Sequence, residues 1–446
     1  MSEYRYFLND YHAVKAADIH IKGITVLAGE NGCGKSTLSR WLYYLVNGAE
    51  KYDELLFNEY KRHLTDRIQR LSMPYRDMRR AMNENVQIFQ NQGFGSHHIS
   101  RVSYDDVEGY NKIQEEFLRQ IYVFGDKLLA FLSANVEQQR RDRILSFLSI
   151  DNVEGQTNEQ IVEDFIDRNR TKAIALTDKY NQDKENRPLG SFFNLIAESF
   201  EETDPHPDNI QLEEDGDTLV SAQSFGYLYN LHRAIYVDTP MALASDDCYN
   251  IFWRELIRLM FRKGAELNAK EKVLLHRIRR ILGGSAVIVE PDDPLAEDEL
   301  RYVSEDNLVN IEIEKTATGF KTFAYLQRLL ENGYLNENTL LLIDEPEAHL
   351  HPQWIFEYAR LLVLLHKQLG LKVMLATHNP DMVSALRAIA AKESVLADTQ
   401  FYLAYKSEEN EHQYCYENLG SQITEIFKSF NIALDRIGAY GTHDIQ

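Results

Sequence analysis

The sequence has very few cysteines and no apolar run long enough to cross a membrane. Its three cysteines, Cys33, Cys248 and Cys415, lie far apart and form no CxxC pair, which excludes a disulfide framework and a zinc ribbon. Charged residues interrupt the apolar runs before the roughly 20 residues that a bilayer requires, and the first residues contain no apolar signal-peptide core. We therefore expect a cytoplasmic protein that does not contact a membrane.

Basic residues are scarce relative to acidic ones. Lysine and arginine number 48 against 69 aspartates and glutamates, so the net charge is −21 and the surface as a whole repels nucleic acid and anionic lipid. Two local basic excesses, at residues 61–80 and 254–280, could still bind phosphates. They could equally be solvated helix faces that pack against acidic loops such as residues 201–217, so nucleic acid is left open as a partner.

The distribution of apolar residues predicts an α/β protein with a discontinuous core. Strand-like and helix-like segments alternate near both ends of the chain, whereas residues from about 49 to 233 have mostly helical periodicity with polar breaks. The acidic stretch 201–217 has no lysine or arginine and is interpreted as a solvated loop. We predict a core formed by residues 1–50 and 234–446, and an inserted, mainly helical lobe at residues 51–233.

A glycine-rich segment carries the first functional signal. Residues 29–36 match the GxxxxGK[ST] pattern, after an apolar run at 19–28 that predicts a buried strand and before a helix predicted to end at Asn47-Gly48. The glycines let consecutive N–H groups point at phosphate oxygens, Lys35 supplies a mobile positive charge, and Ser36 supplies a hydroxyl for Mg²⁺. The predicted phosphate-binding residues are Gly29, Asn31, Gly32, Cys33, Gly34, Lys35, Ser36 and Thr37.

Two adjacent acids at the end of a second apolar strand carry the next signal. Asp344 and Glu345 follow Leu340–Ile343 directly. A buried strand places its terminal carboxylate at the sheet edge, where Mg²⁺ can bind, and the next carboxylate can polarise a water for attack on a terminal phosphate. We predict that Asp344 orients the metal shell and that Glu345 is the general base; the alternative is a pair of surface acids at a strand end.

Two weaker signals lie on either side of these acids. His378 follows an apolar strand at 373–376, after a helix predicted from Trp354 to Leu369, and could hydrogen-bond the terminal phosphate. Alone it would be read as a core or loop histidine. Residues 316–321, Thr-Ala-Thr-Gly-Phe-Lys, open a helix whose N-terminus is suited to an anion.

Taken together, these motifs resemble an ATP-binding cassette ATPase of the SMC/RecF/OLD branch. The matching parts are the phosphate loop, a shortened signature at 316–321, Asp-Glu-Pro-Glu-Ala-His-Leu-His-Pro at 344–352, and Thr-His-Asn-Pro at 377–380. More narrowly, the chain is similar to compact bacterial ATPases, including Septu- and PARIS-type ATPase subunits, several of them linked to defence against phage. The close resemblance covers about the first 50 and the last 150 residues, and the middle is unassigned.

The resemblance implies a P-loop fold of the cassette type with an inserted helical lobe, and ATP and Mg²⁺ as cofactors. It implies a head-to-tail homodimer, or a higher homo-oligomer, with ATP between the phosphate loop of one subunit and Thr318 and Gly319 of the other. Lys35, Glu345 and His378 would be catalytic, and Ser36 and Asp344 would hold the metal. The chain departs from the commoner Ser-Gly-Gly-Gln signature, which weakens the expectation for Thr318 and Gly319.

On this basis the chain is predicted to be an ATP-hydrolysing switch. Too few residues follow His378 for the nuclease domain of the overcoming-lysogeny branch, so we expect a separate nuclease or toxin as the effector. The alternatives are an assembly scaffold and a DNA-repair clamp. His349 and His351 are expected at the subunit interface rather than at a metal, and an aromatic group formed by Tyr4, Tyr6 and Tyr11 is either an adenine platform or part of the core.

Overall fold

A computed structural model describes residues 2–82, 94–106, 108–150, 155–220, 225–238, 251–262, 264–290 and 298–429, except the side chain of His349. The chain divides into two compact units. The first comprises Met1–Glu50 and Ile196–Gln446, and the second comprises Lys51–Leu195. None of the helices in the described ranges is long and apolar enough to cross a lipid bilayer.

The first unit contains a large mixed sheet and a small antiparallel one. The strands are β1 Tyr4–Tyr11, β2 Val14–Ile21, β3 Ile24–Ala28, β4 Asn209–Glu214, β5 Asp217–Thr218, β6 Arg233–Val237, β7 Gly284–Val289, β8 Glu299–Ser304, β9 Asn310–Glu312, β10 Thr339–Asp344, β11 Lys372–Thr377, β12 Thr399–Lys406 and β13 Tyr414–Asn418. The large sheet has the order β5-β4-β1-β2-β13-β12-β3-β11-β10-β6, and the small sheet has the order β7-β8-β9.

The centre of the large sheet is parallel. Strands β12, β3, β11, β10 and β6 pair in parallel register, for example Leu341 with Val373 and Val373 with Ile24. Every residue of β3, β10 and β11 is buried, as expected for a sheet covered on both faces. The carboxyl ends of β3, β11, β10 and β6 therefore lie along one edge of the sheet, which is where parallel sheets bind ligands.

Helices cover this sheet and supply the apolar core of the first unit. They are the first part of α1 (Lys35–Ala81), α7 (Ile251–Met260), α8 (Ala269–Leu282), α9 (Thr318–Glu331), α10 (Pro352–Leu369) and α11 (Pro380–Lys392). Leu326, Leu362 and Leu386 pack with Leu341 and Leu375 in one buried cluster. Helix α10 joins β10 to its parallel neighbour β11 and ends at Gly370, whose φ of 72° is the left-handed conformation of a helix C-cap. The predicted α/β fold is confirmed.

The second unit is helical in its described residues. It contains α1 from Lys51 onward, α2 (His97–Ser100), α3 (Gly109–Ser133), α4 (Gln138–Phe147), α5 (Asn158–Asn186) and the first part of α6 (Leu189–Ser199). Helices α3 and α5 pack closely at Gly125, where an added Cβ would lie 2.8 Å from the Cδ1 atom of Ile166. Buried Tyr60 and Thr177 bond through their hydroxyls at 2.6 Å, which ties α1 to α5 within this unit.

Helix α1 does not end at Asn47-Gly48, where the sequence predicted its end. It is 47 residues long and contains Pro74. The Asn47 side chain makes two hydrogen bonds to the backbone of edge strand β6: its Nδ2 donates to the Ala234 carbonyl at 2.9 Å, and its Oδ1 accepts from the Ala234 amide at 3.1 Å. Because these tertiary contacts satisfy the side-chain amide of Asn47, Asn47 does not stop the helix. Likewise, the apolar run 19–28 is two strands, β2 and β3, separated at Lys22-Gly23.

The acidic stretch 201–217 is not only a solvated loop. Its residues 209–214 form β4, which pairs with β1. Glu214 is buried, and its carboxylate accepts hydrogen bonds from the Tyr4 hydroxyl and from the amides of Tyr229 and Asn230. The second boundary between the two units lies at residues 195/196, whereas the sequence predicted 233/234.

Candidate functional site

The phosphate loop lies between β3 and α1, as the motif predicted. Gly32 and Gly34 have φ values of 81° and 92°, which L side chains rarely adopt. At Gly34 an added Cβ would also lie 2.6 Å from the Cγ2 atom of Val14. The first intrahelical hydrogen bond runs from the Leu38 amide to the Gly34 carbonyl, so the preceding amides at the helix start have no partner within α1. This arrangement is suited to an anion.

Lys35 is folded back onto its own loop. It is 5% exposed, and its Nζ donates to the carbonyls of Gly29 at 3.0 Å and Glu30 at 2.8 Å. Cys33 is buried beneath the loop, where the Tyr416 hydroxyl donates to its carbonyl at 3.0 Å. Asn31, Gly32 and Ser36 are exposed, and Thr37 is half-buried. The Lys35 Nζ also lies 3.7 Å from the Cys33 Sγ. An incoming phosphate would need to outcompete two backbone carbonyls and this thiol for the Lys35 ammonium.

Asp344 connects the end of strand β10 to helix α1, which follows the phosphate loop. It is 3% exposed, and its Oδ1 accepts a 3.0 Å hydrogen bond from Ser39, which lies 305 positions earlier in the chain. Tyr236 at the end of β6 donates to Oδ2 at 2.7 Å. Burial raises the pKa of Asp344; hydrogen bonds from Ser36 and Tyr236 oppose the rise, and the nearby charge of Asp238 adds to it.

Glu345 has a left-handed backbone conformation, with φ 44° and ψ 51°. Such a conformation is costly for a residue with a side chain and persists only where the surroundings impose it. Here the Glu345 amide donates to the Ala376 carbonyl of β11 at 2.8 Å, and the Ala348 amide donates to the Glu345 carbonyl at 3.0 Å. The strained turn places the Glu345 carboxylate beside the end of β11.

His378 and Glu345 contact each other directly. His378 Nδ1 lies 3.0 Å from Glu345 Oε1, and both side chains are partly exposed. A third acid supports the turn: buried Glu347 accepts hydrogen bonds from the Thr377 hydroxyl and, at 3.3 Å, from the His378 amide. Burial raises the pKa of Glu347, and the Thr377 hydrogen bond opposes that rise. Its Oε2 atom is buried with no partner among the described residues.

Thr318 and Gly319 begin helix α9. Thr318 lines a small cavity of about 20 Å³ together with Asp238, Asp344 and Glu345 of the same chain. Gly319 is buried, and a Cβ there would lie 2.6 Å from the Trp354 ring, so packing in this chain already requires a glycine. Lys321 is also buried, which lowers its pKa.

Several residues of this site were not assigned from the sequence. Tyr236 and Ser39 hydrogen-bond the Asp344 carboxylate, and Glu347 accepts from the Thr377 hydroxyl and the His378 amide. Arg40 lies 3.6 Å from Asp238. Asp238 follows β6 at the shared sheet edge; that position was its only sequence signal. Cassette ATPases usually have a glutamine loop that senses Mg²⁺, and the sequence gives no supported position for it. Gln87, Gln90 and Gln92, three unsupported candidates, lie outside the described residues.

Other sequence candidates have structural roles. Tyr4, Tyr6 and Tyr11 are buried, so they belong to the core rather than to an adenine platform. The Nδ1 atom of His351 accepts from the Gln353 amide and caps α10, and the described residues contain no cluster of three or more metal-ligating side chains. In the basic excess at 254–280, Arg254 pairs with Glu201 at 2.6 Å, as expected for a helix face that packs against an acidic segment.

The oxygen donors at this edge suit Mg²⁺. The ion prefers hard oxygen ligands and is usually held by one or two protein groups plus phosphates. The Ser36 hydroxyl and the Asp344 carboxylate supply such atoms, and the loop glycines leave room for the phosphates. The residues therefore fit the expected cofactor pair.

Comparison with known families gives one match over more than half of the chain. The family AAA_21, described as "AAA domain, putative AbiEii toxin, Type IV TA system", matches residues 116–384. This range includes Thr318, Asp344, Glu345 and His378 but not the phosphate loop at 29–37.

Curated relatives match shorter stretches. The chain is 36% identical over 93 residues to the energy-coupling factor transporter ATP-binding protein EcfA2 of Clostridium perfringens, covering 20% of this chain and 33% of that protein. It is 34% identical over 94 residues to the Old nuclease of Escherichia phage P2, covering 21% and 16% respectively. The chain thus spans a third or less of the length of these relatives.

Solved structures with some likeness include SMC head domains. The Pyrococcus furiosus head with an extended coiled coil, bound to the C-terminal domain of ScpA, aligns with a TM-score of 0.35 and 12% identity over 98% of this chain and 100% of that chain. The Thermotoga maritima head aligns with a TM-score of 0.26 and 11% identity over 47% and 65% respectively.

Proposed function

The chain belongs to the AAA_21 family of AAA domains, and on that premise we propose that it is an ATP-binding, ATP-hydrolysing molecular switch. The observation that carries the proposal is the contact between Asp344 and the helix of the phosphate loop, through Ser39 at 3.0 Å. In this proposal, two motifs far apart in sequence act as one site with a phosphate cradle, a lysine and buried oxygen donors. The match to a transporter ATP-binding protein supports ATP as the nucleotide.

In this proposal Lys35 leaves the Gly29 and Glu30 carbonyls and binds the terminal phosphates of ATP. Ser36 and Asp344 hold Mg²⁺, which supplies charge neutralisation on the phosphates when bound. Tyr236 and Ser39 keep the Asp344 carboxylate in place. The site then contributes mainly positioning and electrostatic stabilisation, as in other phosphoryl transfers to water.

Glu345 and His378 act on the water and on the terminal phosphate. The Glu345 carboxylate orients a water and accepts its proton, and His378 donates a hydrogen bond to the phosphate. Their 3.0 Å contact supports a paired role, because a shift of one side chain changes the environment of the other. The left-handed turn at Glu345 supports it further, since backbone strain clusters at active sites.

We extend the proposal to a homodimer closed by ATP, in which Thr318 and Gly319 at the start of α9 meet the nucleotide of the partner subunit. The evidence for this extension is the helix start itself and the resemblance to dimeric cassette ATPases. The output is proposed to be control of a separate nuclease or toxin in defence against phage. The partial match to a phage Old nuclease and the toxin named in the family description support this direction.

The experiment measures ATP binding, the rate of phosphate release and the molecular mass in solution, which reports dimer formation, for three variants. Lys35→Ala should abolish ATP binding, because it removes the only lysine in the loop. Glu345→Gln should retain ATP, release phosphate about 10²- to 10⁴-fold more slowly and accumulate dimer. The control is Lys406→Ala, an exposed lysine on β12. With neighbouring genes present, Lys35→Ala should also lose protection against phage.

The outcome that removes the proposal is equal ATP affinity and turnover in wild type and Lys35→Ala. If Lys35→Ala abolished ATP binding while Glu345→Gln hydrolysed ATP at the wild-type rate, the nucleotide site would stand and Glu345 would lose its role as base.

A further inference from the structure

A cleft of about 260 Å³ opens on the surface of the helical unit. Three helices contribute to it: the end of α1, the end of α3 and the start of α4. Its charged and apolar lining residues include Asp77, Arg80, Phe131, Arg140, Arg143 and Ile144. All of them lie within Lys51–Leu195, so the cleft contains no residue of the nucleotide site.

The arginines of the cleft are largely uncommitted. Among the described residues, Arg80 and Arg143 have no hydrogen-bond or ion-pair partner, and Arg140 approaches only the exposed Glu137, at 3.6 Å. Arg119 of the same helical unit, by contrast, makes two hydrogen bonds to Glu116, at 2.9 and 2.6 Å. Three guanidiniums facing one acid, Asp77, leave a local positive charge in a protein whose net charge is −21. Such a cluster attracts an anion.

The lining of the cleft favours a ligand that carries a phosphate group next to an apolar group. Guanidinium groups match the geometry of phosphate oxygens better than ammonium groups do. Phe131 and Ile144 form an apolar part of the lining. On α4, Arg140, Arg143 and Phe147 lie at positions i, i+3 and i+7, on one helix face. The Phe147 side chain is 52% exposed, which is unusual for a phenylalanine, and it can stack on a base.

We propose that this cleft binds a single strand of nucleic acid, with phosphates against Arg80, Arg140 and Arg143 and a base against Phe147. Cationic side chains that track a backbone beside an exposed aromatic ring are the common design of strand-binding proteins. In a duplex the bases stay stacked on one another, so none would be free to stack on Phe147. The site is separate from ATP binding and does not rest on the proposed hydrolysis.

The test measures fluorescence anisotropy of labelled twelve-nucleotide oligothymidine and oligouridine with the full chain, at several salt concentrations. Wild type should bind at low salt, and affinity should fall steeply with added salt. The triple variant Arg80→Gln, Arg140→Gln, Arg143→Gln should lose roughly tenfold or more in affinity, and its log–log salt slope should be shallower by about 2, from about 0.7 for each phosphate contact. Phe147→Ala should lose roughly five- to a hundredfold without changing the slope.

The control carries the same loss of charge elsewhere in the helical unit, as Arg119→Gln, Arg170→Gln, Lys172→Gln. It should bind the strand like wild type, and Lys35→Ala should too, because the phosphate loop is not involved. ATP binding by the cleft variant should be unchanged. The proposal is overturned if wild type fails to bind at 50 mM salt, if the two triple variants behave alike, or if duplex DNA binds as tightly as the single strand.

Discussion

Asp344 is a carboxylate that the fold buries although burial favours its neutral form. Its pKa is raised above the ordinary value because it is removed from water, and Asp238 adds to the rise, while hydroxyls of Ser36, Tyr236 and Ser39 oppose it. The native state therefore binds this proton more tightly than the unfolded chain does. It follows that the contribution of Asp344 to the free energy of unfolding falls as pH rises. A charge kept at such a cost is typical of a functional site.

Replacing Asp344 by asparagine should stabilise the nucleotide-free protein at pH 8. The uncharged amide avoids most of the cost of the buried carboxylate, for an expected gain of about 1–3 kcal/mol. The difference from wild type should shrink at pH 5.5, where the wild-type carboxyl is more protonated. Stabilisation by Mg²⁺ and ATP, about 2.7 kcal/mol at a hundredfold excess over Kd, should disappear.

Thermal melts at the two pH values, with and without Mg²⁺ and ATP, measure both effects. Glu408→Gln is the control, because Glu408 is exposed and its charge is solvated. A lower melting temperature for Asp344→Asn than for wild type at pH 8, without nucleotide, would contradict this account.

The Asn47 side chain hydrogen-bonds helix α1 to strand β6. β6 is the edge strand beside β10, and its Ala234 amide and carbonyl face away from β10. The Asn47 side chain bonds both groups, so it acts like a short piece of an additional strand. This contact matters for the site because β6 carries Tyr236, which holds Asp344.

Asn47→Ala should leave a buried donor and a buried acceptor of Ala234 without partners. The expected loss in free energy of unfolding is about 2–6 kcal/mol, from about 1–3 kcal/mol for each of the two unsatisfied groups. The Ala234 amide should also exchange its hydrogen faster. Denaturant unfolding and hydrogen exchange measure the two effects, with Asn58→Ala, at an exposed position of the same helix, as the control. Equal stability and equal exchange for both variants would show that water replaces the contact.

The charge of the whole chain affects the two proposed assemblies in opposite directions. Two copies with a net charge of −21 each repel one another, and salt screens that repulsion. A nucleic-acid strand in the arginine cleft is held by attraction, which salt weakens.

The ATP-bound dimer of Glu345→Gln should therefore become tighter as sodium chloride rises from 50 to 300 mM. Sedimentation velocity at fixed Mg²⁺ and ATP measures the dimer fraction, and strand binding by the same protein sample should fall over the same range. Dissociation of the dimer on adding salt would instead mean that local charge pairs across the interface outweigh the net repulsion.

Much of the fold near the site could be predicted because local patterns there agree with the tertiary structure. The buried strands β3, β10 and β11 are mostly apolar, and each ends at a recognisable motif. Prediction failed where long-range contacts changed the local preference. Asn47 did not end α1 because β6 satisfies its amide, and residues 209–214 became a strand because β1 supplies a partner edge.

Local chemistry in the chain was sufficient to specify the phosphate loop, the acids at the end of β10 and the α/β alternation, because glycine conformation, apolar periodicity and strand length act over a few residues. The pairing of Ser39 with Asp344, the Tyr236 hydrogen bond and the Glu345–His378 contact depend on the order β3-β11-β10-β6. That order is set by packing across hundreds of residues, so only the folded chain decides which side chains share an edge. Likewise, only the folded chain shows that Arg80, Arg140 and Arg143 line one cleft formed by α1, α3 and α4.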